Sequence, residues 1–278
     1  MSRPFPISYD GLRRMDLDIA GQTAVITGAA RGIGLATARM LMGDGADIAI
    51  VDIDTEAARS AAETLNADSA SGARAVALPT DITDEQAVAA AFEEARTALG
   101  PVSILIHCAA ILDNKTFVDS EPDDWRRMID VCLVGPMLCI HAALPGMIEQ
   151  HYGRIVCIGS DAGRVGQARL SYYAGAKGGV IAQCKSIAQE VGRHGVTLNV
   201  VSPGATNTEL RQAREREVEA RLGPERYAEL TGKVLKRYPL GRLGEPDDIA
   251  AMIAFLASAR AAWVTGQVIS VNGGFAMP

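Results

Sequence analysis

Seven short apolar runs, each separated from the next by a longer stretch of helical character or by a turn-rich segment, constrain this chain more than any other feature. They are TAVITG (23–28), ADIAIVD (46–52), ARAVALPTD (73–81), SILIHCAA (103–110), GRIVCIGS (153–160), VTLNVVSP (196–203) and GQVISVNG (266–273). Each is rich in Val, Ile or Ala and bounded by Gly, Pro, Asp or Ser. Apolar character that is continuous rather than alternating belongs to strands buried on both faces, as in a parallel sheet. Between them, 33–43, 55–66, 84–98, 123–149, 172–194 and 246–258 read as helices. Acids stand at several helix starts (Asp84 and Glu85; Glu121, Asp123 and Asp124), where the helix dipole favours negative charge. The pattern implies an α/β chain with a doubly wound sheet of about seven parallel strands and helices on both faces.

Composition narrows the partners. Of 278 residues 48% are hydrophobic, enough for one sizeable core, and the formal net charge is −6. A mildly acidic chain argues against nucleic acid or an anionic membrane as the main partner. No run of 18 apolar residues occurs, so no transmembrane helix is expected. Residues 1–20 read as an irregular leader without the apolar core of a secretory signal, before one catalytic domain over 21–278; the expected location is the cytoplasm. The five cysteines (Cys108, Cys132, Cys139, Cys157, Cys184) form no C-x-x-C pair and sit in apolar or helical stretches, which fits buried reduced thiols and gives no metal-site spacing. One segment breaks the rhythm: 205–240 is charged and helix-prone, between the sixth and seventh strands.

TGAARGIG (27–34) follows a strand and opens a helix. Gly28, Gly32 and Gly34 let backbone approach a pyrophosphate, and the helix N-terminus offers free N–H groups. Alone, the segment is equally a tight strand-to-helix turn. Asp52, ending the second strand about twenty residues on, adds an acid where ribose hydroxyls bind, and its charge would repel the 2′-phosphate of NADP; the cofactor implied is NAD. Arg31 pulls the other way, since it can approach a 2′-phosphate, or else is a solvated turn residue. Asp81 has two readings as well: acceptor for the adenine amino group, or cap of the helix beginning near Thr83.

Tyr173 and Lys177 lie four apart in a helical segment and share a face. Ser160 ends the fifth run, thirteen residues before Tyr173, at the strand edge that faces the ligand crevice of a parallel sheet. Oxidising a secondary carbinol requires a base for the hydroxyl proton. A free phenol, with a pKa near 10, is a poor base at neutral pH unless a nearby ammonium stabilises its anion. Ser160 can hold the substrate oxygen. The alternative is a tyrosine and a lysine on an ordinary half-exposed helix. Tyr172 competes, but its side chain points about 100° away around the helix.

With these motifs in order, the chain resembles the short-chain dehydrogenase/reductase family over residues 21–278. The resemblance rests on TGAARGIG, Asp52, Asp81, Ser160, YAGAK (173–177), SPGATNT (202–208) and VNGG (271–274). It implies a Rossmann-type fold and a secondary alcohol or ketone as small-molecule substrate. It implies Tyr173 as acid/base, Lys177 on the nicotinamide ribose, and Ser160 as substrate-orienting residue. Arg31, Ile33, Ile82, Cys108, Ala109, Ala110, Pro203, Gly204, Thr206 and Thr208 join the glycines and acids along the cofactor, 205–240 forms a substrate lid, and the assembly is a homotetramer. Two departures stand out. HCAA (107–110) replaces the family's N-N-A-G, and Cys132 replaces an Asn that holds a proton-relay water, so Cys132 becomes a candidate member of the catalytic set with a weak hydrogen-bonding group. SDAGRVG (160–166) is similar to bacterial members that oxidise alicyclic hydroxyacyl-CoA thioesters or other ring alcohols. Within 205–240, Arg211, Arg214 and Arg216 can meet phosphate or carboxylate groups of a CoA ester, or belong to a solvated face interleaved with glutamates. The competing functions are an NADPH-dependent ketoreductase and a nucleotide-binding sensor or scaffold that has lost turnover.

Overall fold

A computed structural model describes residues 17–278. The strands β1 (Thr23–Thr27), β2 (Asp47–Asp52), β3 (Ala75–Pro79), β4 (Val102–His107), β5 (Gly153–Ile158), β6 (Val196–Pro203) and β7 (Val268–Val271) form one parallel sheet in the order β3-β2-β1-β4-β5-β6-β7. The helices are α1 (Gly32–Gly43), α2 (Thr55–Asp68), α3 (Glu85–Leu99), α4 (Pro122–Ile129), α5 (Gly135–Glu149), α6 (Ala162–Val165), α7 (Ser171–Val191), α8 (Glu209–Leu222), α9 (Pro224–Leu235) and α10 (Pro246–Ala257).

Alternation along each strand builds two cores. Ala24, Ile26, Ile48, Ile50, Ile104 and Ile106 pack with α1, α2 and α10, while Val25, Ala49, Val51 and Leu105 pack with α3, α5 and α7. Both faces are apolar, which is why the runs read as continuous. Strand order reverses between β1 and β4, and the crevice beyond the carboxyl ends of these strands is where such sheets bind ligands.

Three features depart from the sequence reading. Leu17 and Ile19, assigned to the leader, are fully buried in the first core, so ordered packing begins before residue 21; residues 1–16 lie outside the described part. The helix expected over 123–149 is α4 and α5 joined by a π-helical turn, Asp130–Val134. This combined run, Pro122–Glu149, is also long and apolar enough to cross a bilayer, contrary to the expectation that no such segment exists. Its apolar residues have another use: Cys139, Ile140, Ala143 and Met147 are buried against the sheet in the second core.

Candidate active site

The carboxyl edge of the sheet opens into a cavity of about 1900 Å³. A pocket for one small ligand holds roughly 300–1,000 Å³, so this one has room for a dinucleotide and a substrate together. Every residue expected at the site lines it except Lys177 and Cys132, which are buried behind its wall, and Arg216, which is exposed on α8 and does not reach it.

One lobe is built by the β1–α1 turn. Gly28 has φ +63°, and a Cβ there would stand 2.7 Å from the Cα of Ala109; at Gly34 it would stand 2.3 Å from the carbonyl oxygen of Gly28. Side chains are thus excluded where α1 meets its strand and where the chain after β4 crosses the turn. Asp52 accepts from the backbone N–H of Ala30 and of Asp54, each at 3.1 Å, which fixes its carboxylate at the end of β2. Arg31 is paired with Asp54, which also caps α2. The Ala57 N–H and then Arg31 hold the Asp54 carboxyl below its usual range. Asp81 is not the helix cap: Asp84 caps α3, and Asp81 closes the preceding turn by accepting from the Thr83 N–H and hydroxyl at 2.9 and 2.8 Å. Ile82 packs against Gly135 at the start of α5, where a Cβ would come within 2.7 Å of its Cδ1. Cys108, Ala109 and Ala110 form the floor; burial pushes the Cys108 thiol up to about 12, so it stays protonated. A glycine cradle, a helix N-terminus and a fixed carboxylate suit a nicotinamide dinucleotide.

Beneath this floor His107 is buried. Its Nδ1 lies 2.9 Å from Thr27 Oγ1, and its Nε2 has no hydrogen-bond partner among the described residues. Burial first, and the Lys177 charge second, push its pKa from 6.5 down to about 3. Between those values the unfolded chain binds the proton and the folded chain does not, so stability falls as pH drops. The loss from pH 7 to pH 5 should be about 2 kcal/mol on this account. Urea denaturation of wild type and His107→Asn at both pH values measures it; the variant should lose that part of the acid sensitivity, and equal profiles would assign the sensitivity to other groups.

The second lobe brings Ser160, Tyr173 and Lys177 together. Ser160 follows β5, and its Oγ accepts from the Ala162 N–H at 3.1 Å, orienting the hydroxyl. Lys177 is only 1% exposed; its Nζ donates to the Ile158 carbonyl at 2.8 Å and lies 5.9 Å from the centre of the Tyr173 ring. Tyr172 turns elsewhere, its hydroxyl donating to Asp113 at 2.6 Å; burial and then this bond raise its pKa. Cys132 sits in the π-helical turn, buried beside Met128, Tyr172 and Ala176, and its thiol donates to the Ile111 carbonyl at 3.5 Å. Pro203, Gly204, Thr206 and Thr208 continue the wall beyond β6; Thr208 caps α8 and reaches the glycine turn, 3.4 Å from where a Cβ of Gly32 would be. The expected lid is α8 and α9, neither of which has a buried residue.

Sequence reasoning missed the parts that hold this lobe in place. A Cβ at Gly163 would stand 2.8 Å from the Lys177 carbonyl carbon, so this glycine is what lets α6 press the serine turn against α7. Buried Asp161 accepts from Ser202 at 2.9 Å and Asn272 at 2.7 Å, locking the same turn to the ends of β6 and β7. Burial raises its pKa against those two bonds. Asp161, readable from its place beside the serine as a pocket-lining or turn-capping residue, does line the cavity, while its ties to β6 and β7 leave no local signal.

The family described as enoyl-(acyl carrier protein) reductase matches residues 28–276. Among characterised proteins, 2,3-dihydroxy-2,3-dihydro-p-cumate dehydrogenase of Pseudomonas putida is 38% identical over 96% of this chain and 98% of its own length. The 2-(S)-hydroxypropyl-CoM dehydrogenase 3 of Xanthobacter autotrophicus is 35% identical over 92% of this chain and 97% of its own. A 3-oxoacyl-[acyl-carrier-protein] reductase of Salmonella typhimurium is 34% identical over 94% and 100%.

Proposed function

The chain belongs to the short-chain dehydrogenase/reductase family and is an oxidoreductase; from that premise we propose that it oxidises a secondary alcohol, in first place a ring alcohol, with NAD. The observation that carries this reading is that Ser160 and Tyr173 line one cavity with the glycine turn and the fixed Asp52 carboxylate, with the buried Lys177 ammonium 5.9 Å from the Tyr173 ring. The relative from Pseudomonas putida, named for a dihydrodiol of p-cumate, supports the ring alcohol.

In this reading, Ser160 donates to the carbinol oxygen and Tyr173 accepts its proton as the C–H bond gives up its hydride. Bound in the first lobe, the dinucleotide supplies the hydride acceptor. Lys177 provides the positive charge that a deprotonated phenol requires beside it, and its bond to the Ile158 carbonyl fixes that charge in place. Gly28, Arg31, Gly32, Ile33 and Gly34 cradle the phosphates. Asp52 would hold the adenosine ribose, Asp81 and Ile82 would serve the adenine, and Cys108 to Ala110 would bound the ribose site. Pro203, Gly204, Thr206 and Thr208 bound the nicotinamide end, with α8 and α9 as lid. Assembly as a homotetramer through α5, α7 and β7 is part of the same reading; Met137 on α5 is an exposed apolar residue suited to such a contact.

A screen of secondary alcohols with purified protein, followed as NADH absorbance, tests the proposal. NAD-linked oxidation of ring alcohols is expected; turnover only with NADPH and a ketone would replace it with a reductase. Cys132 enters as a positioning residue, holding the π-helical turn to the Ile111 carbonyl. Cys132→Asn is expected to leave kcat equal or higher, because an amide restores a stronger hydrogen-bonding group. A collapse in kcat with unchanged unfolding would mean the thiol itself is tuned to the site.

A further inference from the structure

Arg169, Arg211 and Arg214 line the lid side of the cavity among the glutamates of α8, and nothing in the proton and hydride chemistry uses their charge. Arg211 and Arg214 lie one turn apart on α8 and share a face, and Arg169 stands in the segment between α6 and α7. All three line the same cavity as Ser160 and Tyr173. Arg169 is held there at a cost: its φ is +70°, the left-handed region that disfavours a side chain, and its guanidinium donates to the Asn114 carbonyl at 2.9 Å. Arg211 pairs with Glu215, yet its Nε is buried with no partner among the described residues. Burial, and then Arg211 and Arg169, hold the Arg214 pKa below its ordinary value. The carboxylates acting on Arg214 are Glu215 and Asp113, and Asp113 already accepts from Tyr172 and faces Lys115 at 3.8 Å. Three guanidiniums therefore gather where they repel one another, with an unmade hydrogen bond among them. No fully buried apolar residue on α8 anchors the arrangement.

We propose that Arg169, Arg211 and Arg214 form a subsite for an oxyanion carried by the substrate, so that the alcohol is presented to Tyr173 as an acid or a phosphate-bearing ester rather than as a neutral ring. Planar guanidiniums match both carboxylate and phosphate. An anion there relieves the mutual repulsion and fixes one end of the substrate while Ser160 holds the other. The inference rests on the dehydrogenase reading only in taking the ligand to be an alcohol.

The test reads binding without turnover, by titration calorimetry on the full chain, with and without saturating NADH. The probes are cyclohexanecarboxylate, coenzyme A and, as the neutral control, cyclohexanol. At least one anion is expected to bind about ten-fold or more tighter than cyclohexanol, the advantage of a charge-assisted hydrogen bond. Tight binding of the carboxylate identifies a free acid, and of coenzyme A alone a thioester. Arg214→Gln and Arg169→Gln should each erase most of that advantage and leave NADH affinity unchanged. Equal binding of neutral and anionic probes, or a preference that survives both variants, would overturn the subsite. So would an equal loss of NADH affinity, which would assign the arginines to the cofactor's diphosphate. A protein that binds the anions but oxidises no alcohol would sink the dehydrogenase reading and leave this one standing.

Discussion

Tyr173→Phe should lower kcat by about 10²- to 10⁴-fold, the range for losing a positioned acid/base, while NADH affinity and stability stay near wild type. The expectation follows from where the hydroxyl lies. It faces the cavity, so its removal leaves no buried group unpaired and no void in a core. Lys177→Met would be a poorer test. Its ammonium is buried and bonded to the Ile158 carbonyl, so a loss of activity would mix catalysis with the cost of an orphaned acceptor. Tyr172→Phe is the control with the opposite signature. It breaks the bond to Asp113, which should cost roughly 1–3 kcal/mol of stability, and leaves kcat within a few-fold. Stopped-flow or steady-state NADH formation, with urea denaturation of the same samples, separates the two. Undiminished turnover in Tyr173→Phe would end the proposed chemistry, and a large kcat loss in Tyr172→Phe would move it one residue along the chain.

That contrast also marks what a sequence can reveal. Tyr173 and Lys177 were legible because four residues on a helix make neighbours whatever surrounds them. The sheet was legible because Ala24 and Ile26 bury on one face and Val25 on the other, leaving no polar residue between Thr23 and Thr27. The glycine turn was legible because close backbone approach admits few other residues. Tertiary partners were not. The bond from Tyr172 to Asp113 spans 59 residues and that from Asn272 to Asp161 spans 111, and neither leaves a local pattern. The π-helical turn at 130–134 is invisible to helical periodicity, because a one-residue slip in hydrogen bonding keeps the same apolar composition. Leu17 and Ile19 could have been found, since they alternate with polar neighbours directly before β1, as a chain entering a core does. The charged segment over 205–240 was legible as helix, but whether its arginines face solvent or a cavity depends on what α8 stands over.

Nucleotide choice should turn on Asp52. Its two oxygens are held by the N–H groups of Ala30 and Asp54, so the carboxylate cannot swing away from an incoming 2′-phosphate. That phosphate carries close to two negative charges. Each like-charge pair near 4 Å costs about 1 kcal/mol in water and up to about 4 kcal/mol at a protein surface, so wild type should favour NAD over NADP by about 10²-fold or more in kcat/KM. Asp52→Ser is expected to raise use of NADP about ten-fold and to lower use of NAD by a similar factor, because one or two ribose hydrogen bonds are lost. Arg31 should not complete the switch by itself, being engaged by Asp54. Adding Asp54→Asn frees the guanidinium to meet the phosphate, and the double variant should gain more for NADP than the two single changes combined, because they share that partner. Kinetics with both nucleotides decide the matter: a wild type that prefers NADP would show that Arg31, not Asp52, governs this end of the cavity.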